Sequence, residues 1–180
     1  MYSGNNTTAL QSRQWLVDAL LSLMVDNQYS QITIKQVCQT ADLSRQTFYN
    51  FFEQKDDILH FWISERYSIV LEKYERSKKL SLDDITVVFY DFLEANENLL
   101  KCIINQGLEH IIAAEISNSI PVFASKVIEN IEETNACKYV NSFLSGALTQ
   151  ILICWFKDEQ KLSKEDFSKL LLDLLSGKYV

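Results

Sequence analysis

Between Asp42 and Asp57 the chain reads DLSRQTFYNFFEQKDD. Arg45, Gln46, Thr47, Tyr49 and Asn50 crowd together there, with Phe48, Phe51 and Phe52 set among them. Those polar side chains match the edges of nucleic-acid bases. Arg can bond guanine through two N–H groups, Gln and Asn can bond adenine through a donor and an acceptor, and Thr or Tyr can reach methyls and phosphates. Upstream, Thr33 offers a hydroxyl and helix-start N–H groups to a phosphate. Downstream, Lys55 offers an ammonium. On a helix turning about 100° per residue, the three Phe fall on one side and Gln46 and Asn50 point away from them. Arg45 and Tyr49 take one flank and Thr47 the other. The spacing predicts a short helix anchored by phenylalanines with a polar outer face. Such a helix is marginal alone, so packing must hold it.

The elements that would position this face are marked by capping boxes, a Ser or Thr paired with a polar residue three later. Thr8 with Gln11, Thr33 with Gln36, Ser81 with Asp84 and Ser163 with Asp166 each precede an apolar periodic run. Leu16, Ala19, Leu20, Leu23 and Met24 form the stripe of a first helix over residues 9–26. A short helix follows Thr33, with Ile34, Val37, Cys38 and Ala41 inward. Asp42 is the expected left-handed turn residue, and Ser44 caps the next short helix. Two short helices joined by a tight turn make a helix-turn-helix. Further helices are expected over 56–79, 82–95, 97–105, 107–118, 121–134, 137–157 and 163–176. Pro121 is read as the first turn of its helix.

Four glycines and one proline in 180 residues argue for an all-α chain, because sheets need the turns these residues supply. No apolar run is read as a membrane span, and the first residues lack a signal peptide's regions, so a cytoplasmic location is expected. Cys38, Cys102, Cys137 and Cys154 form no metal-ligand spacing and are read as reduced thiols. Residues 1–55 hold four basic and four acidic residues, and 56–180 hold thirteen and twenty. The net charge of −7 therefore lies wholly in the second part, which suits a nucleic-acid module joined to an acidic body.

The segment ITIKQVCQTADLSRQTFYNFFEQKDDIL, with Arg13 and Tyr29 ahead of it, resembles the DNA-binding domain of tetracycline-repressor-like (TetR/AcrR) regulators. Arg13, Tyr29, Thr33, Ala41, Ser44, Phe48-Tyr49, Phe52, Lys55 and Leu59 carry the match, over about residues 8–60. Asp42 departs from the usual Gly, Leu43 from Ile or Val, and Cys38 from Ala. FLSGALTQILICWFKDEQKLSKEDF resembles the penultimate helix, linker and last helix that dimerise in this family.

The resemblance implies a helix-turn-helix head over 1–55 and an effector-binding and dimerisation domain over 56–180. It implies that Thr33, Ser44, Tyr49 and Lys55 hold phosphates while Arg45, Gln46, Thr47 and Asn50 approach base edges. The implied function is a homodimeric regulator on palindromic double-stranded DNA, a repressor released by a small molecule. The alternative is a co-regulator of the same fold that binds a partner protein, which the neutral head keeps open. Helices 137–157 and 163–176, apolar on more than one face, are the expected homodimer contact. Trp62, Phe89, Phe92, His110, Phe143 and Trp155 are candidate ligand contacts, with Tyr67, Tyr90 and Phe123 beside them. Each of them is more often core than ligand contact. No nucleophile beside a base, Gly-rich phosphate loop or metal constellation is seen, so neither catalysis nor a cofactor is expected.

Overall fold

The computed structural model describes residues 7–75, 80–127, 136–159 and 161–178. Among them the regular elements are helices, and no strand is present. Helix α1 (Thr7–Asp26) leads through a 3-10 turn (Tyr29–Gln31) to α2 (Ile34–Thr40) and α3 (Arg45–Tyr49). Then follow α4 (Asp56–Glu75), α5 (Leu82–Ala95), α6 (Glu97–Asn105), α7 (Glu109–Val127), α8 (Cys137–Lys157) and α9 (Lys164–Leu175).

Among the described residues, side-chain caps set four of these starts. Thr33 and Gln36 close a reciprocal box at α2, and Ser81 and Asp84 close another at α5. Ser44 Oγ accepts the Thr47 N–H at 3.0 Å, and Ser163 Oγ accepts that of Asp166 at 3.1 Å. Helix α1 instead begins at Thr7, ahead of the expected Thr8 cap, and the Thr8 side chain lies outside the described residues. The expected ends of the helices over 56–79 and 121–134 also lie outside them.

The turn between α2 and α3 follows from its backbone bonds. Asp42 N–H reaches the Gln39 carbonyl at 3.3 Å, and Leu43 N–H reaches that of Cys38 at 2.9 Å. These two bonds close α2 in a Schellman motif, which demands a left-handed residue after the helix. Asp42 supplies it at φ 53°.

One buried cluster runs through the molecule. Around α3 it holds Phe48 with no exposed surface, packed among the wholly buried Leu16, Leu20, Val37, Ile58 and Leu59. The rings of Phe48 and Phe52 lie 5.8 Å apart, and Phe52 meets Phe61 at 6.0 Å. Arg13 caps this row, its guanidinium 4.1 Å above Phe61.

Two expectations are corrected. Residues 107–118 and 121–134 are not separate helices broken near Pro121, because α7 runs continuously from Glu109 to Val127 with the proline inside it. Packing along α8 overrides the local breaker. Ser145 Oγ donates to the Ala113 carbonyl at 3.1 Å, and Asn141 Nδ2 donates to Ser117 Oγ at 3.1 Å. Gly107, placed in that helix by its pattern, instead closes α6 at φ 73°. The second correction concerns α8. Its 21 residues are long and apolar enough to cross a membrane by length and composition. One side of the helix packs on α7, while Tyr139, Val140 and Phe143 are exposed.

Asp42→Val should destabilise the protein by about 1–2 kcal/mol, since a β-branched residue tolerates the left-handed region poorly. Asp42→Gly should stay within about 0.5 kcal/mol of the parent. Urea unfolding of the three proteins checks this, and equal stability of the Val variant would contradict a Schellman turn here.

Candidate nucleic-acid interface and internal cavity

Five residues cannot hold a helix unaided, so the burial of Phe48 and Phe52 sets the direction of α3. What that leaves outward is Arg45, Gln46, Tyr49 and Asn50, all exposed, with Tyr49 58% accessible. Thr47 is partly covered, and its hydroxyl meets that of Ser44 at 2.8 Å. The Thr33 hydroxyl donates to Gln36 Oε1 at 2.7 Å and accepts the Gln36 N–H at 3.2 Å. Both cap hydroxyls are thus engaged in fixing their own helix starts. The four exposed side chains share one surface and make no side-chain hydrogen bond among those observed within the described residues.

Lys55, an implied phosphate contact, is also bonded within the head. Its ammonium donates to the carbonyls of Tyr29 and Ile32, the second at 2.8 Å, and lies 4.0 Å over the Tyr29 ring. Burial lowers its pKa, against the raising effect of Asp56. Tyr29 donates its phenol to Asp56 Oδ1 at 2.5 Å, and burial first, then Asp56, pushes that phenol up and keeps it neutral. Asp57 Oδ2 accepts the N–H groups of Glu53 at 2.8 Å and Gln54 at 3.1 Å. The start of α4 is therefore stapled to the turn that leads into α2. Gln106, just after α6, joins the same knot: its Oε1 accepts the Tyr29 N–H, and its Nε2 donates to the carbonyls of Met24 at 3.2 Å and Asn27 at 3.4 Å. Nothing local in the sequence announces Gln106, because its partners lie 77 to 82 residues away.

A cavity of about 210 Å³ lies between α4, α5, α7, α8 and α9. Phe89 and Phe92, both candidate contacts, line it together with Tyr67 and Phe123. Trp62, His110, Phe143 and Trp155 do not. Trp62 is buried on another side of α4, His110 is exposed, and Phe143 is 70% exposed on α8. Trp155 is buried among Tyr90, Phe156 and Phe167, with the Lys161 ammonium 3.9 Å over its ring. Helical phase makes the difference, since a stripe of aromatics cannot say which flank a hollow will adjoin. At the cavity wall Glu115 Oε1 meets His60 Nδ1 at 2.7 Å, a pairing across 55 residues. No group of three or more His, Cys, Asp or Glu placed to hold a metal occurs among the described residues.

The staple has a consequence for stability. Lys55→Met removes the donor from two partly buried carbonyls and should cost about 1–3 kcal/mol, read as a lower urea midpoint of the protein without DNA. An unchanged midpoint would restrict Lys55 to a DNA-facing role.

A family model described as a transcriptional regulator C-terminal region, TetR_C_8, matches residues 81–177, more than half of the chain. The HTH-type dhaKLM operon transcriptional activator DhaS of Lactococcus lactis is 25% identical over 94% of each chain. Lin0861 from Listeria innocua superposes with a TM-score of 0.80 at 14% identity, over 99% of this chain and 96% of that one. A TetR transcriptional regulator from Streptococcus agalactiae superposes with a TM-score of 0.62 at 19% identity, over 93% and 95%. The two structural likenesses speak to the fold, and the family model speaks to kinship. This chain belongs to the TetR family of transcriptional regulators, DNA-binding proteins that catalyse no reaction.

Proposed function

We propose that the chain works as a homodimer on a palindromic operator and represses transcription until a small molecule enters its cavity. The observation that carries this reading is the fixed outward face of α3. Arg45, Gln46 and Asn50 would approach base edges in the major groove, with Thr47 at their side. Tyr49, Ser44, Thr33 and the remaining N–H of Lys55 would hold phosphates. Residues 1–55 would form the reading head and 56–180 the body that senses and dimerises. Two heads about 34–36 Å apart would reach successive turns of the groove.

The dimer reading is supported by what α8 and α9 leave uncovered. Phe143 and Tyr139 are 70% and 69% exposed, and Val140 and Leu170 are exposed near them in sequence or on the next helix. A Cβ at Gly146 would meet nothing within 4 Å, so that stretch of α8 is open to close approach by another helix. Apolar surface of this kind on the outside of a soluble protein marks an interaction site. A second reading, transcriptional activation, is favoured by the printed role of the Lactococcus relative. Promoter output separates the two: deletion of the gene raises transcription from the bound promoter under repression and lowers it under activation.

Upstream DNA of the gene should bind nanomolar dimer, with the log of affinity falling against log salt by about 0.9 per phosphate contact. Asn50→Ala should cost about 1–3 kcal/mol on the operator and little on random DNA. Equal loss on both would remove Asn50 from base reading. No retardation of any upstream fragment, with a protein co-purifying instead, would favour the partner-binding alternative. Phe143→Glu should shift the dimer toward monomer in analytical ultracentrifugation, and an unchanged dimer would place the contact elsewhere.

A further inference from the structure

The cavity's chemistry narrows what can occupy it. Tyr67 is held neutral by burial. Ser68 donates to the Ser64 carbonyl at 2.9 Å, and Ser119 donates to that of Ile116 at 2.8 Å, so both hydroxyl protons are turned to helix backbone. Glu115 is the acidic side chain among the described lining residues, and those residues include no Lys, Arg or His. Its side chain is 14% exposed. Oε1 takes His60 at 2.7 Å and Asn118 at 3.5 Å. The other carboxylate oxygen takes no protein hydrogen bond among the described residues. Glu115 and Tyr67 both line the cavity, with Ser119 one helical turn beyond Glu115.

Within this lining the aromatic rings are arranged edge to face. Phe92 lies 5.5 Å from Tyr67 at 81°, and Phe123 lies 5.1 Å from it at 79°. Ring faces carry negative potential and attract cations. A carboxylate or phosphate entering here would meet Glu115 and find no lining cation, at a large desolvation cost. A neutral ligand with no donor would leave the second carboxylate oxygen of Glu115 without a partner, since His60 and Asn118 hold only Oε1. Size adds a limit. A cavity of about 150 Å³ holds benzene, so 210 Å³ admits roughly eight or nine heavy atoms on the same scale.

Resting on the effector reading above, we propose that the ligand is a compact organic cation, its ammonium on Glu115 and its apolar part among Tyr67, Phe92 and Phe123. The test uses the full-length protein and three probes of about nine heavy atoms: 2-phenylethylammonium, 2-phenylethanol and phenylacetate. Isothermal titration should show the ammonium binding at least about tenfold tighter than the alcohol, with phenylacetate undetected. Glu115→Gln should bring the ammonium to the level of the alcohol while leaving the alcohol's affinity within about threefold, which also shows that the cavity survives. The proposal is overturned if the ammonium binds no better than the alcohol, if it does not bind, or if Glu115→Gln keeps the preference. Operator retardation with each probe separates this from the effector reading. Release of DNA by the alcohol or phenylacetate but not by the ammonium sinks the cation class alone. Tight ammonium binding with unchanged DNA affinity supports the class and sinks the effector role.

Discussion

The burial of Phe48 is the constraint on which the head depends. A five-residue helix has too few internal hydrogen bonds to offset the cost of its nucleus, so α3 has a direction only because Phe48 has a place to go. Full burial of such a ring contributes about 1.5–3 kcal/mol, and the row from Phe48 through Phe52 to Phe61 extends the contact into α4. Each polar side chain opposite the row is aimed by this packing. A groove-reading surface needs such rigidity more than it needs net positive charge, because a base edge is recognised by angle as well as by distance. A head with four positive and four negative side chains can therefore still read a sequence, with bulk attraction to phosphate contributing less.

A second fixture holds the head onto the rest of the chain. Lys55, Tyr29 and Asp56 join the start of α4 to the turn before α2, and Gln106 brings the body's α6–α7 corner to the same point. These groups are partly buried, so each bond made there avoids a desolvation penalty that exceeds the net gain of the bond itself. The same geometry limits the freedom of the ammonium as a phosphate contact. Two of its three protons are already directed at carbonyls, and its third must share whatever water or phosphate reaches the rim.

What could be read from the sequence was what depends on near neighbours. The caps at Thr33, Ser44, Ser81 and Ser163 involve a hydroxyl and an N–H three residues away, and periodicity gave the stripes that Leu16, Leu20 and Leu59 occupy. Asp42 was legible because a short polar residue between two capped helices has few other conformational uses. Pro121 misled because its local preference for a helix start was outweighed by tertiary packing along α8. Gln106 and the internal bonds of Lys55 escaped notice for one common reason: their partners are remote in the chain, and a long polar side chain carries no periodic signature. The cavity divided the aromatic candidates in the same way. Phe89 and Phe92 adjoin it, while Trp155, equally apolar, fills space between α5 and α9.

Helix α4 links the two sites physically. Its first turns place Ile58 and Leu59 in the core beneath α3 and carry Lys55 at their head, while Ile63, Tyr67 and Leu71 face the cavity further along. A ligand changes DNA affinity only by as much as it prefers one seating of this helix over another. Tyr67 lines the cavity, and a ligand proposed to bind there would act on α4 about three turns from the Lys55 staple. Packed cores move between discrete arrangements more readily than they stretch. On the proposed function, a response at α3 would take the form of a changed angle of the whole head with the Phe48 row intact, since breaking that row would unfold the helix that re-aiming would preserve.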